Sequence, residues 1–189
     1  MRADARQKRE QLIRAAVENF RTRPNSEVTL GEIAEHAGVG IATLYRHFPT
    51  RADLRQACAL EFIDVLDAKL GDTLAKFDSA PEEQWRAFIW ACADSGIGML
   101  VAAPADEPPH ALEPTVRQRR DEFFAHAQEL LDLAAAHGLV DPALTPSEIA
   151  AELIVVTRPM SANLRNLFPD VKTHLVNHLL LAWRVSSTS

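Results

Sequence analysis

Apolar residues recur three and four positions apart along nearly the whole chain, and no stretch alternates convincingly between apolar and polar residues. A helix with one buried face produces the first pattern, whereas a half-buried strand requires alternation. The spacing therefore predicts an all-α fold. Helix breakers and capping residues divide the chain into about nine helices.

The starts of several helices carry capping signals. Thr29 is followed three residues later by Glu32, and Thr145 by Glu148, so both sites match a capping box. Pro81 suits the first turn of a helix, where a backbone N–H is not needed. These signals predict helices that begin just after Thr29, near Pro81 and just after Thr145.

Glycines and spacing predict where helices end. Gly38 lies in the turn between two short predicted helices, and Gly138 follows a longer one, so both suit a left-handed backbone conformation. The helix that starts at Thr145 is expected to run to about Leu164. The last helix is expected over residues 170–185.

The chain carries 20 Lys+Arg and 26 Asp+Glu residues among 189, and its formal net charge of −6 disfavours a polyanionic partner. The charge is segregated, however. Residues 1–54 hold nine basic and seven acidic side chains, a net charge of +2, whereas residues 55–189 hold eleven basic and nineteen acidic ones, a net charge of −8. This asymmetry indicates two modules, of which the first meets an anion.

The residues that build metal centres and enzyme sites are sparse. Cys58 and Cys92 belong to no Cys-x-x-Cys motif, and we expect both to be inert core thiols. His174 and His178 lie one helical turn apart without an evident third ligand, so no metal is predicted. The absence of a nucleophile motif such as G-x-S-x-G gives an enzyme little support, and no cofactor is predicted.

No segment of the sequence indicates export or a membrane. The N-terminal residues are crowded with charge and contain no apolar signal sequence, and no apolar run reaches the length of a membrane span. The expected location is the cytoplasm.

Residues 29–48 have the layout of a helix-turn-helix, with two short helices joined by a turn that contains glycine. In the second helix Leu44 and Phe48 lie four residues apart and are expected to pack on the helices before it. Its outward face then carries groups that can contact phosphates and groove edges: Ala42, Thr43, Tyr45 and Arg46, with His47 near the edge. A helical hairpin inside an ordinary all-α protein is the alternative for this pattern.

The string from Val28 to Leu54, VTLGEIAEHAGVGIATLYRHFPTRADL, resembles the DNA-binding domain of the TetR family of transcriptional regulators. The resemblance rests on T-x-x-x-I-A-x-x-A-G-V, on T-L-Y-x-H-F, and on the basic Arg51 at the start of the next helix. It implies an N-terminal three-helix DNA-binding domain in residues 1–54. It also implies a C-terminal helical domain in residues 55–189 that binds an effector and dimerises.

The resemblance assigns roles to individual positions. Phosphate contacts are implied for Thr29, Thr43, Tyr45, His47 and Arg51, and base contacts for Gly31, Gly40, Ile41, Ala42 and Arg46. A hydroxyl residue is frequent in the family where Gly40 stands, so the recognition helix lacks a side-chain N-cap. We hypothesise that Ile41 and Ala42 contact thymine methyl groups, that Arg46 reads a base edge, and that DNA shape contributes. The basic residues at positions 2, 6, 8 and 9 form either an additional DNA-contacting arm or solvated tail charges.

A single module of this kind binds DNA weakly, so a homodimer is expected to pair two half-sites of an operator. The last two long helices are the predicted dimer surface because both have wide apolar faces, and in related regulators the equivalent pair forms a four-helix bundle between subunits. Their apolar residues are Ile149, Leu153, Val156 and Met160 on the first helix and Val171, Leu175, Val176, Leu179, Leu180 and Trp183 on the second. Burial in the chain's own core is the alternative.

Large apolar side chains in the C-terminal part are candidates to line a cavity for a small lipophilic effector. These are Trp85, Phe88, Ile89, Cys92, Met99, Phe123, Phe124, Leu130 and Met160, with ordinary core packing as the alternative for each. Arg158 is a further candidate, because it lies on an otherwise apolar predicted helix just before Pro159. A buried guanidinium needs an anionic partner, either an internal acid such as Asp94 or Glu152 or an acidic ligand.

The sequence thus predicts a ligand-responsive, DNA-binding transcriptional regulator. The expected mechanism is a repressor that a small molecule releases from a palindromic operator. Its expected partners are double-stranded DNA, a second copy of the chain and a small-molecule effector. An effector-independent DNA-binding regulator and a helical protein that only binds a small molecule are the alternatives.

Overall fold

The computed structural model describes residues 2–95 and 113–185. Within these two ranges the chain forms nine α-helices and no strand, which confirms the all-α prediction. The helices are α1 (Arg2–Thr22), α2 (Leu30–His36), α3 (Ile41–His47), α4 (Arg51–Lys76), α5 (Pro81–Asp94), α6 (Pro114–Ala136), α7 (Pro146–Val156), α8 (Ala162–Leu167) and α9 (Val171–Val185). None of these helices combines the length and the apolar character needed to cross a membrane.

Local capping chemistry sets the starts of the helices. Both predicted capping boxes are confirmed. The Thr29 hydroxyl accepts from the Glu32 N–H at 3.2 Å, and the Glu32 carboxylate accepts from the Thr29 N–H at 2.8 Å. Thr145 pairs with Glu148 in the same way. Each box satisfies two backbone donors that a helix start leaves unpaired. A third capping box, between Thr50 and Asp53, starts α4 and was not predicted.

The two predicted glycine turns are also confirmed. Gly38 has a φ of 67° and Gly138 a φ of 66°, so both adopt the left-handed conformation that side chains with a Cβ avoid. Gly38 lets the chain reverse between α2 and α3. This reversal sets the angle at which α3 leaves the N-terminal helices.

The buried residues form two apolar clusters that share one helix. The first runs from Leu12 to Cys58 and joins α1, α2, α3 and the first two turns of α4. The second begins at Phe62 and joins the rest of α4 to α5, α6, α7 and α9. The change from one cluster to the other falls between Cys58 and Phe62, within a continuous helix. The domain boundary at residue 54 stays a prediction.

The helix predicted from Thr145 to about Leu164 is wrong in its length, because α7 ends at Val156. Pro159 lacks the N–H that a continuing helix would need, and it disfavours helical geometry in the residue before it. The Thr157 N–H and the Thr157 hydroxyl both donate to the Leu153 carbonyl, at 3.0 and 2.6 Å, and close the last turn of α7. The chain resumes a helix at α8, after Ser161 caps it.

The prediction that the apolar faces of the last two long helices point to a partner is wrong for half of their residues. Ile149, Leu153, Val176, Leu180 and Trp183 are buried in the chain's own core. α7 and α9 pack on each other and on α5 with these side chains, so one face of each helix is already used. The large apolar residues that remain exposed on the two helices are Val155, Leu175 and Leu181.

Candidate nucleic-acid interface and internal cavity

The recognition helix α3 is held by two buried residues. Leu44 is 0 % exposed and Phe48 is 2 % exposed, and both belong to the first apolar cluster. Because they lie four residues apart, they fix one face of α3 against α1 and α2. Ile41 and Tyr45, which are 44 % and 50 % exposed, lie on the free face. This face is the one for which the sequence predicts DNA contacts.

The polar side chains of α3 are held close to the helix. Arg46 donates from Nη2 to the Thr43 hydroxyl at 3.0 Å and from Nε to the Ala42 carbonyl at 3.3 Å. The exposed guanidinium can leave these partners without disturbing the core. His47 is half-buried, and its ring lies 6.4 Å from that of Phe48. Contacts of all these residues with DNA stay a prediction.

Two of the residues assigned to phosphate contact also stabilise the fold. Thr29 uses its hydroxyl in the capping box of α2. Arg51, at the start of α4, donates to the Val28 carbonyl at 2.8 Å, and its guanidinium carbon lies 5.4 Å from the centre of the Phe20 ring. Arg51 therefore connects the start of α4 to the loop before α2 and to α1. Sequence reasoning missed this role, because the partners lie 23 and 31 residues away along the chain.

The basic residues near the N-terminus are not a tail. α1 begins at Arg2, and within it Lys8 pairs with Asp4 at 2.9 Å and Arg6 with Glu10 at 3.2 Å. Such pairs one helical turn apart support a helix. Arg9 lies over the Phe48 ring at 5.1 Å. These residues therefore belong to a helix rather than to a tail, and their contact with DNA stays a prediction.

Gly40 is the N-cap of α3 and makes no side-chain hydrogen bond there. Its φ of −71° is accessible to any residue, and a Cβ placed on it would meet no atom within 4 Å. The missing cap is therefore a feature of the sequence rather than a steric requirement of the fold.

An apolar cavity of about 150 Å³ lies among α4, α5, α6 and α7. Six of the ten residues predicted to bind a ligand line it: Trp85, Phe88, Ile89, Cys92, Phe123 and Phe124. Met99 lies outside the described residues. Leu130 is fully buried and Met160 partly buried, but neither lines this space.

Arg158 was expected among apolar residues, and this expectation is wrong. It is exposed, it follows the end of α7, and it does not line the cavity. Its suggested internal partners are engaged elsewhere, since Asp94 pairs with Lys172 at 2.5 Å and Glu152 accepts from the Trp183 indole at 2.7 Å. The early end of α7 before Pro159 is the physical reason, because it carries Arg158 away from the buried face.

Sequence reasoning missed the contribution of α4 and one charged residue. Four residues of α4 line the cavity: Ala59, Phe62, Ile63 and Leu66. Phe62 and Leu66 lie four positions apart, as expected for the buried face of a helix, but this spacing does not show that the face lines a cavity. Arg120 is the charged side chain among the described lining residues. Its guanidinium donates to the Asp121 carboxylate at 2.7 and 2.9 Å, so its charge is already compensated.

Ion pairs tie α6 to α4 beside the cavity. Arg119 donates to Asp64 and to Asp67, each at 2.7 Å, and His126 Nδ1 lies 2.6 Å from the Asp67 carboxylate. Partial burial works to raise the pKa of Asp67, but hydrogen bonds from Arg119 and His126 outweigh it, so the pKa lies below its usual value. The carboxylate is therefore charged at neutral pH, and the connection is in place.

The two cysteines are unreactive by position. Cys58 and Cys92 are both buried, and burial raises the pKa of each thiol to about 12. A thiol in this state is a poor nucleophile and a poor metal ligand. Within residues 2–95 and 113–185, no group of three or more His, Cys, Asp or Glu side chains is placed to hold a metal ion.

Comparison with known proteins matches the N-terminal part to one family. The family described as "Bacterial regulatory proteins, tetR family" matches residues 12–58, the range that the first apolar cluster spans. Nucleoid occlusion factor SlmA of Marinobacter nauticus is 24 % identical over 152 residues, which are 76 % of this chain and 74 % of that protein. SlmA of Idiomarina loihiensis is 33 % identical over 64 residues, 34 % of this chain and only 32 % of that protein.

Solved structures match nearly the whole chain. A TetR transcriptional regulator from Streptomyces coelicolor superposes with a TM-score of 0.59 at 25 % identity, over 95 % of this chain and 99 % of that one. The TetR transcription regulatory protein from Mycobacterium vanbaalenii superposes with a TM-score of 0.60 at 26 % identity, over 97 % of this chain and 99 % of that one. The arrangement of helices in both parts of the chain is thus one already seen in regulators.

Proposed function

We propose that this chain is a transcriptional regulator of the TetR family, because the family model matches residues 12–58 and two regulators of that family superpose on nearly the whole chain. We further propose that a small molecule in its cavity controls its affinity for DNA. The proposed mechanism is repression: the protein occupies a palindromic operator in the cytoplasm, and the effector releases it. Blocking a promoter requires only tight DNA binding, so the mechanism needs no further activity.

The observation that carries the proposal is that α4 belongs to both sites. Its first residue, Arg51, holds the loop before α2, and Leu54 is buried in the cluster that fixes α3. One side of the same helix, at Phe62 and Leu66, forms the wall of the cavity. At about 1.5 Å per residue, the two ends of this connection are roughly 22 Å apart along one helix. A displacement of α4 at the cavity is therefore transmitted to the recognition helix.

The ion pairs around Asp67 oppose such a displacement of α4. With Arg119 bound to Asp64 and Asp67, α6 and α4 are fixed side by side. A ligand that separates the two helices must weaken these pairs, so it favours a second packing of α4. An effector acts only through its difference in affinity for the two packings.

The DNA side of the proposal uses the free face of α3. Tyr45, His47 and Arg51 are proposed to contact phosphates together with Thr29 and Thr43, and Arg46 is proposed to read a base. Gly40, Ile41 and Ala42 are proposed to approach the bases closely. A net charge of +2 over residues 1–54 is small. Affinity is therefore expected to depend on dimerisation and on these placed contacts more than on bulk charge.

We propose that the homodimer forms through the outer faces of α7 and α9. Val155, Leu175 and Leu181 are 67 %, 38 % and 61 % exposed on these faces, and a second copy related by a two-fold axis would cover them. Sedimentation of Leu181→Glu tests this arrangement. A variant that stays dimeric and folded would contradict it.

The experiment on DNA binding begins with selection of a binding site from random duplexes by the purified protein. We expect a two-fold symmetric site whose affinity falls steeply as salt rises. Arg46→Ala is expected to weaken binding by about 1–3 kcal/mol and to relax preference at one position of each half-site. The control Arg184→Ala lies on α9, where Arg184 pairs with Glu82 at 2.6 Å, and it is expected to bind as the unaltered protein does. Unchanged site preference in Arg46→Ala would refute the base-reading role.

The relatives named nucleoid occlusion factors make nucleoid occlusion a second candidate, because one match extends over 76 % of this chain. Mapping the bound sites on the chromosome separates the two functions. One or a few promoters support a regulator with an effector, whereas many dispersed sites favour the second candidate.

A further inference from the structure

One residue that lines the cavity has a buried polar atom without a hydrogen-bond partner. Trp85 is 0 % exposed and lines the cavity, and its indole Nε1 forms no hydrogen bond with residues 2–95 or 113–185. The indole N–H can only donate, and buried indoles usually find an acceptor. An unpaired donor at this depth is costly, so a ligand that supplies an acceptor gains affinity.

The neighbouring indole shows the contrast. Trp183 packs edge-on against Trp85, with ring centres 6.3 Å apart, and is also buried. Its Nε1 donates to the Glu152 carboxylate at 2.7 Å. The Trp85 indole, which lines the cavity, thus has no hydrogen-bond partner among the described residues, whereas the neighbouring Trp183 indole has one.

The rest of the wall limits the charge of the ligand. Its described residues are alanine, valine, leucine, isoleucine, phenylalanine, proline and Cys92, apart from Trp85 and Arg120. Arg120 is only half-buried and already donates twice to Asp121. A carboxylate placed in this space would lose its hydration without gaining a free cation, which is unfavourable.

The volume limits the size of the ligand. An apolar cavity of about 150 Å³ accepts a molecule of about the size of benzene. A single ring with a small substituent, or a short aliphatic chain, fits this space, and a long acyl chain would extend outside it.

We propose that the cavity binds a small uncharged molecule, apolar except for one hydrogen-bond acceptor, and that Trp85 Nε1 donates to that acceptor. This inference rests on the proposed function, because it names the ligand class of the same cavity. A wall built to donate one hydrogen bond selects against isosteric molecules that lack the acceptor, since these leave the donor unpaired.

The test uses acetophenone and α-methylstyrene, which have the same shape and differ by the exchange of a carbonyl oxygen for a methylene group. Binding of each is measured by calorimetry to the full chain and to Trp85→Phe, which removes the donor and keeps an aromatic ring. Trp90→Phe is the matched control, because Trp90 packs against the same core but does not line the cavity. The preference for acetophenone is expected to fall about tenfold in Trp85→Phe and to be unchanged in Trp90→Phe.

The outcomes separate this inference from the proposed function. If neither probe binds the unaltered protein, the inferred ligand class is refuted, whereas the proposed function is decided separately by whether a bound ligand changes operator affinity. If both bind and Trp85→Phe changes both affinities equally, the donor role of Trp85 is refuted while the cavity stands.

A second measurement does not depend on the folding of Trp85→Phe. In the unaltered protein the indole N–H resonance of Trp85, assigned by elimination with Trp90→Phe and Trp183→Phe, is expected to move downfield with acetophenone and not with α-methylstyrene. A resonance that responds equally to both probes would overturn the inference.

Discussion

Replacement of Ala127 by leucine should stabilise the protein, because this buried alanine on α6 lines the cavity. The larger side chain adds three carbon atoms to space that is otherwise empty. At about 0.8 kcal/mol per buried methylene, the gain is about 2.4 kcal/mol. A second estimate uses the cavity volume: filling roughly half of it stabilises the protein by about 1.8 kcal/mol, at about 24 cal/mol per Å³ of cavity. The two routes agree on an increase of about 2 kcal/mol in the free energy of unfolding.

Ala134→Leu is the matched control for this substitution. Ala134 lies on the same helix, two turns further on, and it is 0 % exposed, but it does not line the cavity. The same three carbon atoms there enter a packed core, which costs about 1–3 kcal/mol through displaced neighbours. The two variants are therefore expected to change stability in opposite directions.

Urea unfolding of the two variants and the unaltered protein measures this difference. The slope of the free energy against urea should stay constant while the midpoint rises for Ala127→Leu and falls for Ala134→Leu. Ala127→Leu should also lose acetophenone binding, since it occupies the same space. Equal destabilisation in both variants would refute the claim that α4, α5, α6 and α7 enclose a usable cavity.

Further predictions concern the caps and the ion pairs. Thr29→Ala and Thr145→Ala should each lower stability by about 1 kcal/mol in thermal unfolding, but only Thr29→Ala should weaken operator binding; equal operator affinities would contradict this. Gly40→Ser should raise the free energy of unfolding by a few tenths of a kcal/mol, because the hydroxyl can cap α3 in open space, and a lowered melting temperature would argue against it. Burial works to raise the pKa of Asp67, but hydrogen bonds from Arg119 and His126 hold it below the ordinary 3.8, so its contribution to stability is complete above about pH 5 and is lost as pH falls through the lowered pKa. Urea midpoints between pH 7 and pH 3 should therefore fall less in Arg119→Ala, and an identical acid loss would exclude this role.

Local signals explain why much of the fold could be predicted from the sequence. The capping boxes at Thr29 and Thr145 and the left-handed Gly38 and Gly138 depend on residues within one turn of each other, and all four are confirmed. The orientation of α3 follows from the four-residue spacing of its buried side chains. Each of these features is fixed by chemistry that a short window of sequence contains.

Features that depend on distant partners could not be predicted in this way. The periodic pattern after Thr145 continues past Pro159, so it did not reveal that α7 ends early and that Arg158 is exposed. Apolar residues on α9 were equally suited to a partner or to the chain's own core, and the contact with α5 decided the matter for Trp183. The ion pairs of Arg119 join residues more than 50 positions apart.

The measurement that tests the central claim most directly is operator affinity with the cavity filled and unfilled. Fluorescence anisotropy of the selected operator is followed with the unaltered protein and with Ala127→Leu, each with and without saturating acetophenone. Occupation of the cavity is predicted to weaken operator binding by the unaltered protein at least tenfold, and acetophenone is predicted to have no effect on Ala127→Leu. If calorimetry shows that acetophenone occupies the cavity and the unaltered protein still binds the operator equally well with and without it, the account is contradicted.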